Sequence, residues 1–265
     1  MRTSELEELA VELATGAAGV VRSGRHDVVA AKSSATDLVT QADRATERWL
    51  RERLASRRPD DAILGEEGGA SAGSSGLRWV LDPIDGTVNF VLGLPQYAVS
   101  VAVQDVEGTV AGAVCNPVTG EVFAASRGAG ARCNGRALAG PREVPLDRAV
   151  VATGFSYRAE VRRAQAAVLA RLLPRIADVR RMGAASLDLC AVAAGRVDGY
   201  FEAGLHPWDY AAGMLVATES GCVASGLNGA APGEHLVAVA GTALAPDLLA
   251  LLVELGADRV SSRSD

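Results

Sequence analysis

The sequence predicts a mixed α/β protein of two closely packed subdomains, and three observations carry that prediction. The chain has 265 residues, 49% of them hydrophobic, enough to bury one large core or two that share an interface. From Trp79 to Ser126 the pattern is β, with strand-length apolar segments separated by turn signals. After about Val150 helical and strand patterns alternate, which implies stacked layers of both.

Taken in order, residues 4 to 22 carry Leu6, Leu9, Leu13, Ala17, Val20 and Val21 at helical spacing, and "SELE" reads as a capping box. A second helix is expected from about Asp43 to Ser56, ended by Arg57, Arg58 and Pro59. A short strand, "AILGEE", follows, and then "GGASAGSSG", a stretch too poor in apolar side chains to order itself by burial and so expected to be a mobile loop. The segments "WVLD", "YAVSVAVQ", "TVAGAVC" and "EVFAAS" are expected strands, with "VEG" and "NPVTG" as hairpin turns between antiparallel neighbours. "RGAGARCNGRAL" continues as a tight connection. Helices are expected near 158–173, 186–195, 207–220 and 246–255, with strands at "VDGYFE", "CVAS" and "HLVAVAG" between them. The shift in composition at "PREVPLDRA" divides the chain into residues 1–145 and 146–265 without a long linker.

Charge and cysteine usage exclude several classes of function. A net charge of −6 and the lack of a basic stripe argue against nucleic acid as a partner. No apolar run approaches the roughly 18 residues of a membrane span, and the charged start "MRTSELEELA" has no apolar leader core, so a soluble cytoplasmic protein is expected. Cys115, Cys133, Cys190 and Cys222 are scattered without metal or redox spacing and read as reduced core thiols. His26, His206 and His235 are equally isolated, so any bound metal must be held by oxygen.

The stretch "WVLDPIDGTVNF" ends an apolar strand on two aspartates, Asp82 and Asp85. A lone Asp-Pro or Asp-Gly is most often a turn device. Here Glu66 and Glu67 end the preceding strand in the same way, so at least three carboxylates collect at neighbouring strand ends. Poorly solvated like charges repel by several kcal/mol unless cations neutralise them, and hard divalent ions suit oxygen ligands. In "HPWDYAAG", Pro207 suits the first position of a helix, which puts Asp209 in the first turn, either as a simple complement to the helix dipole or as a distant member of the same site.

Together "GEE", "WVLDPIDGTVNF" and "HPWDYAAG", in this order and with "KSSATDLVTQAD" and "RCNG" beside them, resemble the inositol monophosphatase family of Mg²⁺-dependent, lithium-sensitive phosphatases. The likeness runs from about Ser4 to the last helix. It implies a layered α-β-α-β-α sandwich of the inositol monophosphatase and fructose bisphosphatase type, two or three Mg²⁺ ions and a homodimer. It implies that Glu66, Asp82 and the Ile84 carbonyl hold one ion, that Asp82, Asp85 and Asp209 hold a second, and that Glu66 helps a weaker third. No ligand role is implied for Glu67, which is read as a solvated neighbour. Asp43 hydrogen-bonded to Thr87 would orient the attacking water, with Lys32 near the metal-bound waters; Asp37 reads equally well as a surface partner of Lys32. Asp85, Gly86, Thr87, Ala185, Glu202 and Asp209 would face the substrate, Glu202 accepting from polyol hydroxyls.

The reaction so implied is hydrolysis of a phosphomonoester by in-line attack of metal-activated water, without a phosphoenzyme. No histidine lies beside a candidate nucleophile in these motifs, and the aspartyl-phosphate signature DxDx[TV] is absent from the sequence. Inositol 1-phosphate is the expected substrate, because histidinol-phosphatase and nucleotide 3′-phosphatase relatives more often carry lysine where Val88 stands. Those two activities and fructose-1,6-bisphosphatase remain alternatives on the same metal core. The competing reading from another class is a regulatory binding protein in a transcription complex. A retired enzyme usually loses a metal carboxylate, and Glu66, Asp82, Asp85 and Asp209 are all present.

Overall fold

A computed structural model describes residues 2–24, 28–31 and 38–257 of the chain. Lys32, Asp37 and His26 therefore lie outside the described residues. Helix α1 (Thr3–Ser23) is followed by a short hairpin of β1 (Val28–Ala31) and β2 (Leu38–Thr40), then helix α2 (Gln41–Arg57). Next come strands β3 (Ala62–Gly65), β4 (Gly69–Ser71) and β5 (Arg78–Asp85), the short helix α3 (Thr87–Leu92), and strands β6 (Ala98–Asp105), β7 (Gly108–Cys115), β8 (Val122–Ser126), β9 (Ala131–Cys133) and β10 (Arg136–Ala137). The second half holds β11 (Val150–Thr153), α4 (Ala159–Leu172), β12 (Asp178–Arg180), α5 (Ala185–Ala193), β13 (Gly199–Glu202), α6 (Pro207–Glu219), β14 (Cys222–Ser225), β15 (Val237–Gly241) and α7 (Ala245–Leu255).

These elements stack as five layers, α-β-α-β-α. An eight-stranded sheet, ordered β10-β9-β8-β7-β6-β5-β3-β4, is covered on one face by α1 and α2 and on the other by α6. Helices α5 and α6 pack together as the middle layer, and the five-stranded sheet β12-β11-β13-β15-β14 lies beyond them with α4 and α7 outside. Burial on both faces explains why β5, β6 and β7 read as nearly continuous apolar runs and not as alternating ones.

Three hydrophobic clusters fill the gaps between the layers. Leu13, Leu50, Trp79 and Leu81 pack between α1, α2 and the large sheet. Leu189, Val192, Tyr200 and Val216 pack around the middle helices. Leu172, Phe201, Leu248 and Leu252 pack under the outer pair. The middle cluster takes residues from both sides of residue 145, from Val80 to Val239, so the two halves share one core. Cys115, Cys190 and Cys222 are buried, Cys133 is half-buried, and all four are free thiols.

Several local expectations differ from the fold. Helix α1 starts at Thr3, where the Glu5 carboxylate accepts the Arg2 N–H at 3.2 Å, so "SELE" is not the cap. Glu7 is instead buried against β8, accepting from Ser126 Oγ at 2.7 Å. The "GGASAGSSG" stretch is held by hydrogen bonds where burial is lacking: Gly69–Ser71 pairs with β3, and Ser75 Oγ donates to Asp61 Oδ1 at 2.6 Å. Strands β11 and β12 have no clear pattern in the sequence; they join the second sheet by parallel pairing, which a local reading cannot supply.

Candidate active site

Side chains alternate along a strand, so Asp82 and Asp85, three apart, would point to opposite faces of a regular β5. The pairing with β6 shows how the chain avoids this. Asp82 lies opposite Ser100 and Asp85 opposite Ala98, so three steps on β5 match two on β6. The extra residue forms a bulge at Pro83 and Ile84, where proline has no N–H to offer the ladder. Both carboxylates consequently line one cavity of about 500 Å³. Asp82 is 1% exposed, and its Oδ1 accepts the Ile84 N–H at 3.0 Å.

The chain then turns on Gly86, whose φ of 89° puts it in the left-handed region. A Cβ there would lie 3.0 Å from the Gln96 carbonyl oxygen and 3.1 Å from that of Gly183. Thr87 opens α3, and its hydroxyl lies 3.1 Å from Asp43 Oδ1 and 3.0 Å from the Ile84 carbonyl. One hydroxyl proton serves both acceptors. Asp43 is fully buried in the first turn of α2, where its Oδ2 accepts both the N–H and the hydroxyl of the capping residue Thr40.

Two further elements close the cavity. Glu66 follows β3, its N–H donating to the Leu81 carbonyl at 3.2 Å so that it sits beside β5. Asp209 is in the first turn of α6, and its Oδ2 accepts the His206 N–H at 2.7 Å. Pro207 stands at the helix start, as the sequence pattern predicts, and Gly221, at φ 97°, just follows the end. Asp85 reaches across to the start of α5, where Ala185 N–H and Ser186 N–H donate to it at 3.2 and 2.7 Å, and the Ser186 hydroxyl donates as well. Glu202, at the end of β13, accepts from the buried Tyr200 hydroxyl at 2.7 Å.

The electrostatics are those of crowded acids. Burial, reinforced by the Glu66 charge, holds Asp82 and Asp209 well above the ordinary carboxylate range. Asp85 is pushed up to about 6 by burial, against the Ser186 and Ala185 donors and the Arg181 charge. Burial pushes Glu202 up to about 7, against the Tyr200 hydrogen bond and Arg181. Asp209 and Glu202 keep an edge on the cavity and are only half-buried by area.

The structure thus brings Glu66, Asp82, Ile84, Asp85, Gly86, Thr87, Ala185, Glu202 and Asp209 to one cavity, with Asp43 behind Thr87. Glu67 is half-buried next to Glu66, its N–H held by Glu47 Oε2 at 2.7 Å. Carboxylate and carbonyl oxygens crowded in this way fit a hard divalent cation, whose charge would relieve the repulsion that raises their proton affinity. Among the described residues no three acids, histidines or cysteines close into a finished cage. The acids ring an open space, Asp85 and Asp209 being turned onto backbone donors.

Sequence reading misses several residues of this site. The loop from Gly154 to Arg158 forms one wall with Arg181, and nothing in its composition marks it. Gly154 lies so close to Glu202 that a Cβ would collide with the carboxylate. Ser186, next to Ala185, is not singled out by the sequence reading. Asp188, behind the cavity lining, had a signal: it is the one acid in the apolar helix α5, it is 1% exposed, and burial with the Glu202 and Asp85 charges pushes its carboxyl well above the ordinary range.

A family model described as the inositol monophosphatase family matches residues 2–257. The chain belongs to the inositol monophosphatase family. Its relatives include an inositol-1-monophosphatase of Mycobacterium leprae, 47% identical over 271 aligned positions that cover 94% of this chain and 93% of the relative. A Nus factor SuhB of Pasteurella multocida is 41% identical over 240 positions, covering 88% and 90%. Among solved structures, Mycobacterium tuberculosis SuhB superposes with a TM-score of 0.83 at 42% identity, covering 97% of this chain and 98% of that one. In this chain the five-layer architecture sets the strand-end carboxylates against the start of a helix from the second half.

Proposed function

We propose that this inositol monophosphatase family member is a Mg²⁺-dependent phosphomonoester hydrolase acting on inositol 1-phosphate. One observation carries the reading: Glu66, Asp82, Asp85 and Asp209, from three separate segments, face a single cavity beside the Asp43 and Thr87 pair. Glu66, Asp82 and the Ile84 carbonyl would hold one cation and Asp82, Asp85 and Asp209 another, with Glu66 shared by a third. Bound Mg²⁺ would lower the pKa of water, neutralise the phosphate and stabilise the leaving alkoxide.

The protein's own groups do the rest. Asp43 takes the Thr87 hydroxyl proton in hydrogen bond, leaving the hydroxyl oxygen to accept from a water and steer it toward the phosphorus. The Thr87 and Gly86 backbone groups and Ala185 pack against the substrate, and Glu202 accepts from its hydroxyls. Lys32 would lie near the attacking water. Residues 1–145 would then supply most cation ligands, and residues 146–265 would supply Asp209 and the polyol contacts.

The experiment is an assay of the purified chain on inositol 1-phosphate, histidinol phosphate, fructose 1,6-bisphosphate and a nucleoside 3′-phosphate, with Mg²⁺, with Li⁺ and with EDTA. The expected result is a preference for inositol 1-phosphate, suppressed by millimolar Li⁺ and abolished by EDTA. Full activity in excess EDTA would sink the reading. A homodimer in the cytoplasm is proposed on the family likeness, and a monomeric mass by light scattering would remove the dimer.

A second reading is favoured by the relatives named Nus factor SuhB: a role in a transcription complex, with or without hydrolysis. The net charge of −6 points to a protein partner for that role over direct nucleic-acid contact. Retention of hydrolysis by the purified chain decides whether such a role replaces the enzyme or adds to it.

A further inference from the structure

Helix α2 carries two buried acids one turn apart, Asp43 and Glu47. Asp43 is engaged with Thr40 and Thr87. Glu47 points at the turn that follows β3. Its Oε2 accepts the Glu67 N–H at 2.7 Å and its Oε1 the Gly68 N–H at 2.8 Å, so one carboxylate holds two successive backbone donors. The Glu47 side chain is 3% exposed and is paired with Arg51, whose Nε donates to Oε1 at 2.7 Å while its Nη2 donates to the Gly69 carbonyl at 2.5 Å.

The glycines of "GEEGG" fit around this pair. A Cβ on Gly65 would overlap the Glu47 carboxylate, and one on Gly68 would lie 2.6 Å from Glu47 Oε1 and 2.9 Å from Arg51 Nε. The turn is therefore moulded on Glu47 and Arg51 from both ends, and Glu66 is the residue between them that faces the cavity.

We propose that Glu47, held by Arg51, is a positioning residue for Glu66: it fixes the turn after β3 so that the Glu66 carboxylate meets a divalent cation. This rests on the metal reading of Glu66. The physical reason is that a ligand carboxylate must be held to within about half an ångström of its working place. The backbone around Glu66 has no helix to hold it, and the exposed strand β4 gives it little packing. A buried carboxylate bonded to two N–H groups supplies the rigidity that packing does not. Because Asp43 and Glu47 share a helix face, α2 sets the water-orienting group and one cation ligand in the same frame.

The test compares the full-length parent with Glu47→Gln and Gly68→Ala. A glutamine can accept from only one of the two N–H groups and opposes the other with its own N–H₂; the alanine pushes on the same pair from the far side at an exposed position, so the fold is kept. Mg²⁺ binding is measured by calorimetry without substrate, and kcat is followed against Mg²⁺ concentration. Both variants should bind Mg²⁺ roughly 10- to 100-fold more weakly, as loss of partners behind a metal ligand does, and excess Mg²⁺ should restore kcat. Mg²⁺ affinity within twofold of the parent, or a loss of kcat that excess Mg²⁺ does not restore, overturns the positioning role. If Glu47→Gln does not fold, Gly68→Ala by itself decides between these outcomes. A parent that binds no Mg²⁺ overturns the metal reading of Glu66 and this inference with it, whereas unaffected variants of a Mg²⁺-binding parent overturn the inference only.

Discussion

The Thr87 hydroxyl lies 3.1 Å from Asp43 Oδ1, joining the first turns of two helices across 44 residues of sequence. Because Asp43 Oδ2 is already taken by Thr40, the carboxylate has one orientation and Thr87 has one hydrogen-bonded partner in it. Asp43→Asn replaces an acceptor by a donor without touching the cavity acids. It should lower kcat by about 10²- to 10⁴-fold, the range of general-base assistance, with Mg²⁺ affinity nearly unchanged. Asp82→Asn removes the charge of a carboxylate that would hold the cations and should weaken Mg²⁺ binding itself. Calorimetric Mg²⁺ titration beside steady-state kinetics separates the two. Equal loss of Mg²⁺ in both variants would make Asp43 a support of the cation site.

Stability should depend on pH in a direction opposite to that of most acid-paired proteins. Asp85 and Glu202 are raised in the folded state, from 3.8 to about 6 and from 4.5 to about 7, chiefly by burial. An acid raised in the folded state binds more protons there than in the unfolded chain between the two values, so its contribution is full below about pH 4 and is lost as pH climbs to about 7. Denaturant unfolding in EDTA should show stability falling over that window. Mg²⁺ should restore it at pH 7, since a ligand that binds only the folded state stabilises it. A flat profile in EDTA would count against these buried acids.

Glu202 and Tyr200 should govern KM and not the metal. Removing a hydrogen bond to a charged group costs about 1.5 to 3 kcal/mol, so Glu202→Gln should raise KM for a polyol phosphate by roughly 10- to 100-fold. Tyr200→Phe, which frees the Glu202 carboxylate from its 2.7 Å donor, should shift KM in a smaller degree at constant Mg²⁺ activation. A Glu202→Gln variant with unchanged KM but altered Mg²⁺ dependence would show that the carboxylate serves the cation.

Gly86→Ala should harm both stability and activity. Left-handed backbone costs a non-glycine residue roughly 1 to 2 kcal/mol, and here the added methyl also meets two carbonyl oxygens at 3.0 and 3.1 Å. Relief requires moving Thr87 or the Gly183 turn, and each borders the cavity. A lowered melting temperature with a fall in kcat is expected; wild-type values for both would mean that the turn is softer than its contacts indicate.

Much of the fold could be read locally. The apolar stripe of α1, the runs of β5 to β7 and the proline at the start of α6 all carry their own patterns, because side-chain periodicity and backbone chemistry act within a few residues. Strands β11 and β12 could not, since parallel neighbours 25 or more residues apart decide them. Within the candidate site the sequence by itself determined which groups were available: acids at strand and helix ends, a proline and a glycine to turn the chain, and oxygen ligands in place of histidine or cysteine. Only the tertiary structure decided that Asp82 and Asp85 face the same way, because a bulge depends on register with β6. Only it brought Asp209, Ser186 and Glu202 to them from the other half, and set Gly154 against Glu202 and Glu47 beneath the turn after Glu66. Electrostatic crowding and hydrogen-bond partners depend on distance in space, and a sequence records distance only along the chain.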